Sequence, residues 1–186
     1  MQALTLLRIQ ARANRLANLR LHGAMAVLSQ QDLHATRSSF FPTLMGTLNH
    51  ILWVDLYYIA VLHGQADAEP IAKSFEPATA LADLAERQRL SDQRLINWLD
   101  AADEAALDGH VHMPRAQGRV QTDLAAHMLQ HLFMHQTHHR GQTHAMLSGT
   151  ALAPPQLDEF LMPSEPHLRT AEMAQLGWDE ALVYGR

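Results

Sequence analysis

The chain has 186 residues, with 13 histidines, no cysteine and a formal charge of −5. This length suits one domain, which can bury a core without disulfides or a structural metal. The absence of cysteine excludes thiolate catalysis, disulfides and sulfur-ligated metal sites, and no basic block marks a nucleic-acid surface.

Four stretches rich in Ala, Leu, Gln, Arg and Met read as helices between Pro- and Gly-containing breaks. The first spans roughly 2–29, with Leu4, Leu7, Ala11, Leu16, Leu19 and Ala26 at helical spacing. Gly23 weakens it without ending it. The second spans roughly 42–64, with Pro42 in the first turn and Gly64 as the stop. Its stripe is Gly46, His50, Trp53/Val54, Tyr57 and Val61. The third spans roughly 77–104, opened by Pro77, with Leu81, Leu84, Leu95 and Leu99 inward. Residues 106–121 read as a long loop with room for a short hairpin. The fourth helix spans roughly 122–148, with Thr122 as its N-cap and Gly149 as its stop. Four prolines then punctuate a tail with room for one or two short helices. The chain is expected to be all-α, a four-helix bundle with short C-terminal helices. Residues 1–150 form the bundle in this reading, and 151–186 an extension packed on it or on a dimer interface. No signal-peptide pattern and no long apolar run is present, so a cytoplasmic protein without membrane or nucleic-acid partners is expected.

Most of the histidine chemistry lies in the fourth helix. At about 100° per residue, His135 shares its direction with Leu124, Met128, Gln142 and Met146, and His139 and His131 flank it. His135 and His139 project from successive turns, a spacing suited to one metal ion. A third ligand from a facing helix completes such a site, and His50 is the candidate on the second helix. The competing reading makes each a hydrogen-bonded core histidine. His127, His138 and His144 read as surface or interface residues, and His131 as either structural or supportive of the ligands. Gln142 lies on the ligand face. Tyr57 shares the His50 face and can supply a hydroxyl or simply pack. Asn49 and Asp55 lie off the inward face, and Asp55 is expected to pair with an arginine or a helix terminus. Arg140 points away from the metal stripe, as a structural residue. The tryptophans and most methionines read as packing.

The run His135-Gln136-Thr137-His138-His139-Arg140-Gly141-Gln142 resembles the H-x-x-x-H-R-G-Q signature of the DinB/YfiT-like metalloenzyme family. That family is distinct from the DNA polymerase that shares part of its name. Leu48-Asn49-His50-Ile51-Leu52-Trp53-Val54-Asp55 matches its pattern of a histidine in an apolar run followed by an aspartate. The similarity covers roughly residues 2–150. It implies an up-down-down-up four-helix bundle, a divalent metal (zinc or nickel) on His50, His135 and His139, and a homodimer. It also implies a metal-dependent enzyme, foremost a thiol S-transferase-like one acting with a low-molecular-weight thiol on a small-molecule substrate. The alternatives are a metal-dependent hydrolase, in which water attacks instead, and a non-catalytic metal-binding stress-response protein. Around the ligands, His131, Gln142 and Tyr57 are the candidate supporting residues.

Overall fold

The computed structural model describes residues 2–64, 71 and 73–185. These are mostly helical, with one small two-stranded antiparallel sheet. The expected loop 65–76 falls largely on residues 65–70 and 72, outside the described residues.

Helix α1 runs Ala3–Met25 and passes through Gly23 unbroken. It stops short of 29 because Ser29 caps a separate helix, α2 (Gln30–His34): Ser29 Oγ accepts from Asp32 N, and the Asp32 carboxylate accepts from Ser29 N. Helix α3 runs Leu44–Leu62. Its first turn is not opened by Pro42. Thr43 is the cap, its Oγ1 accepting from Gly46 N at 2.9 Å. A Cβ on Gly46 would lie 2.9 Å from that oxygen, so the cap needs glycine here. Gly64 follows α3 with φ +65°, as its stop requires.

Helix α4 is Leu81–Ala101, beginning four residues after Pro77. Asp103 caps a further short helix, α5 (Glu104–Leu107). The hairpin then forms from β1 (His110–Pro114) and β2 (Val120–Leu124), with His112 opposite Thr122. Thr122 is therefore not a helix cap. It pairs in the sheet, and its hydroxyl meets His112 Nδ1 at 3.0 Å. Helix α6 starts later, at Ala125, and runs to Leu147. The tail carries α7 (Thr170–Leu176) and α8 (Glu180–Tyr184).

Hydrogen bonds between the long helices give their directions. Arg8 reaches Leu99 O and Asn18 reaches Asp92, so α1 and α4 run antiparallel. Asn49 bonds Ala78, Asp55 bonds Gln88, and Trp98 bonds Leu62 O, so α3 and α4 run parallel. His50 meets His135 and Tyr58 meets His131, so α3 and α6 run antiparallel.

The interior has two apolar parts with a polar layer between them. One part holds Val54 and Tyr57–Leu62 of α3 with Leu95, Leu99, Leu129, Leu132 and Phe133. The other holds Leu44–Leu52 of α3 with Leu21, Met25, Leu84, Met146 and Leu147. Asn14, Asn18, Asp55, Gln88, Asp92, Gln136 and Arg140 lie between. Asp92 accepts from Asn14, Asn18 and Gln88, and Asp55 accepts from Gln88 and Gln136. Arg140 donates to Asn14 and Asn18. Such a layer survives burial only because its members are cross-bonded. The tail packs on α1, where Phe160, Met173 and Val183 cover Leu16 and Ala17. No described helix is long and apolar enough to cross a membrane.

Candidate metal centre

His50, His135 and His139 come together at the level of the polar layer, with one ligand-capable nitrogen from each within 4.8 Å of the others. Two of them lie one turn apart on α6, and the third faces them from α3, about two turns after the Thr43 cap. His50 Nε2 and His135 Nε2 are 3.0 Å apart. Two nitrogens on one tetrahedral ion with bonds of about 2.0–2.1 Å lie about 3.3 Å apart, so the spacing suits a shared ion. His139 donates from Nδ1 to Gln142 Oε1 at 2.8 Å, which leaves its Nε2 lone pair for the cluster.

All three imidazoles are held neutral, the form that ligates a metal. Burial, then the charge of His139, brings His50 down to about 4. Burial, then His139 and His50, brings His135 down to about 3. His139 is lowered mainly by burial, against the opposing Gln142 bond. His135 Nδ1 is sealed from solvent without a hydrogen-bond partner. Among the described residues, no carboxylate joins the three histidines.

The site lies at an edge of the packed interior, not at its centre. The buried face of α6 runs through Leu129, Leu132, Gln136 and Thr143, rotated by about 80° from His135. His139 is buried, His135 half-buried and His131 exposed, in the order this rotation dictates. On α3, Gly46, His50 and Trp53 form the least buried stripe, and a surface cavity of about 350 Å³ opens beside them. Asn49, Phe75 and Pro77 complete its lining.

The supporting candidates divide. Gln142 bonds a ligand directly, and its Nε2 contacts exposed His138 at 3.1 Å. His131 meets the Tyr58 hydroxyl through Nδ1 at 3.1 Å, its ring 6.1 Å from that of His135. Tyr57 turns away: its hydroxyl donates to Pro114 O at 2.5 Å and ties α3 to the hairpin. Asp55, expected off the inward face, is fully buried in the polar layer, where two glutamine amides hold it in place of an arginine. Asn49 is buried too, locking the segment before α4 through both Ala78 N and Ala78 O. Arg140 has the structural role expected of it, bonding α6 to α1. His144 bonds Pro155 O in the tail, and His127 is exposed.

Two residues at the site escaped the sequence reading. Phe41 stacks on His50 with ring centroids 4.3 Å apart and meets His139 edge-on at 5.6 Å. It precedes α3 by three residues, and no periodicity reaches it. Tyr58 was passed over because helical spacing sets it about 80° from His50, whereas Tyr57 shares the His50 direction.

The DinB family model matches residues 2–171, past the Pro-rich start of the tail. The chain is 27% identical over 146 residues to Protein DinB of Bacillus subtilis (strain 168), covering 74% of this chain and 83% of that protein. With a signature histidine pair on α6 facing His50, and a family match over most of its length, this chain belongs to the DinB family.

Proposed function

We propose that the chain is a divalent-metal-dependent enzyme, thiol S-transferase-like, in which a low-molecular-weight thiol attacks an electrophilic small molecule. The observation that carries this reading is the cluster of His50, His135 and His139, neutral and open at one edge to a surface cavity. Three neutral nitrogen ligands leave a divalent ion's charge uncompensated and a position free for an exogenous group. Zinc or nickel suits imidazole ligands equally. When bound, the ion supplies charge that favours the thiolate over the thiol near neutral pH. The chain's residues do the rest. Gln142 fixes the ring of His139, and Phe41 stacks over His50. Trp53 and Phe75 offer apolar surface in the adjoining cavity for the electrophile. The chain has no cysteine, so the attacking sulfur comes from outside. The net reaction forms one carbon–sulfur bond and releases the leaving group, with the thiol proton passing to solvent.

The same reading takes the four long helices as an up-down-down-up bundle over residues 1–150, with 151–186 as its extension, forming a homodimer. Support for the winding comes from the antiparallel α1–α4 and α3–α6 pairs and the parallel α3–α4 pair.

The test is metal content and thiol conjugation in one preparation. Wild type loaded with zinc or nickel is expected to hold one ion per chain and to accelerate conjugation of a thiol to monochlorobimane. His50→Ala and His135→Ala are expected to lose both the ion and the acceleration. Unchanged metal content in both variants would overturn the site. An intact ion with hydrolysis of a p-nitrophenyl ester, and no conjugation, would replace the transferase by the hydrolase. An ion with neither activity would leave a metal-binding protein.

A further inference from the structure

A second cavity, of about 510 Å³, lies on the other pair of long helices, between the C-terminal half of α1, the short α2 and the first turns of α4. Neither α3 nor α6 lines it. Sites for small molecules commonly occupy about 300–1,000 Å³.

Two side chains of α1 line this cavity with unused hydrogen-bonding capacity. Arg15 is only 7% exposed. Among the described residues its one ion pair is with Asp92, with Nη1 to Oδ2 at 3.8 Å, beyond hydrogen-bond range, while Glu86 attracts and Arg89 repels its charge from further off. That carboxylate is already occupied by the amides of Asn14, Asn18 and Gln88. Among the described residues, Arg15 makes no hydrogen bond, so none of these residues answers its five donors. His22, two turns further along the same face, is 8% exposed and equally without a hydrogen bond among the described residues. The sealed, partnerless nitrogens of this protein include Arg12 Nε and His135 Nδ1, but none from Arg15 or His22. The nitrogens of Arg15 and His22 are therefore not sealed, and both side chains line the cavity. Burial, then the charges of Arg15 and Arg140, brings His22 down to about 4, so it offers one N–H and one lone pair at neutral pH.

Leu19, Leu28, Leu33 and Leu81 give the cavity an apolar wall, to which Gln30 and Gln175 add two neutral amides. At the rim, Arg89 and Glu86 pair with each other at 2.6 Å and add no net charge. A buried guanidinium with free donors, beside an imidazole and above a leucine wall, complements one planar anion carrying an apolar body.

We propose that this cavity binds an amphipathic monocarboxylate, its carboxylate on Arg15 and His22 and its hydrocarbon body against the leucines of α1, α2 and α4. This site is separate from the histidine cluster and stands whether or not that cluster holds a metal.

The test uses the full chain with octanoate as probe, followed by calorimetry and leucine-methyl NMR. Octanoate is expected to bind and to shift the methyls of Leu28, Leu33 and Leu81, and octylammonium is expected not to bind. Arg15→Gln is expected to weaken octanoate at least tenfold. Ala85→Trp, which fills the cavity while sparing Arg15, is expected to abolish binding. His50→Ala is expected to leave binding unchanged. Equal binding of octanol and octanoate, full binding by Ala85→Trp, or no binding of octanoate at millimolar concentration would each overturn the proposal. If Arg15→Gln does not fold, the octanol comparison and Ala85→Trp decide.

Discussion

Asp55 and Arg140 both lie in the polar layer, although a helical wheel centred on His135 turns Arg140 away from the interior. The Asp55 carboxyl is pushed up to about 7, chiefly by burial and then by Asp92. In the unfolded chain it titrates near about 3.9. Between those values the native state holds the extra proton, so stability falls as pH rises through this window. Asp55→Asn cannot ionise and keeps an acceptor for Gln88 and Gln136. Its stability relative to wild type is expected to grow by about 2–4 kcal/mol between pH about 4 and about 7, then to level off. Urea midpoints across that range measure the effect, and a difference independent of pH would contradict it. The three histidines were legible because the i, i+4 pair and the single histidine of α3 are local patterns. Asp55 was not, because its surroundings come from two other helices, α4 and α6. Phe41 was missed because a loop residue's direction depends on the fold.

The helices were legible as elements, but their ends were not. Apolar spacing marks the middle of a helix, and capping chemistry within one or two residues decides its limits. Thr43 took the cap expected near Pro42, and Ser29 starts a new helix just past the stretch read as one. Thr122 resembled a cap yet pairs in the hairpin, since cross-strand partners override a local signal. Helix α6 adds a separate point. Gly141, within its signature, is exposed, and a Cβ there would meet nothing within 4 Å. No contact among the described residues explains the glycine. Gly141→Ala is therefore expected to stabilise the protein by about 0.5–1 kcal/mol, read as a raised thermal midpoint. A loss of stability would show that the glycine has a packing role the chain's own contacts do not contain.

Across the whole molecule, the two apolar parts touch opposite sides of the polar layer. Apolar burial within each part is continuous, while the layer between them is held by directional bonds. Native-state hydrogen exchange is expected to resolve two cooperative units, one including Leu95, Leu99 and Leu129, the other including Leu48, Leu52 and Leu84. A single denaturant dependence for all these amides would mean that the layer joins the halves into one unit. Overall class was the most legible property at this scale, because four long periodic segments leave few other arrangements. The split core was not, because only assembly brings Asn14, Asp92 and Arg140 to one height.

That common height also sets how the helices may slide. Leucine surfaces tolerate sliding by one turn, about 5.4 Å, since one apolar contact replaces another. The polar layer does not. Asn14 and Asn18 lie one turn apart, so moving α6 one turn along α1 would take one of its two acceptors from Arg140. The layer thus acts as a vernier for the helices: it admits one alignment, and that alignment brings His50 level with His135 and His139.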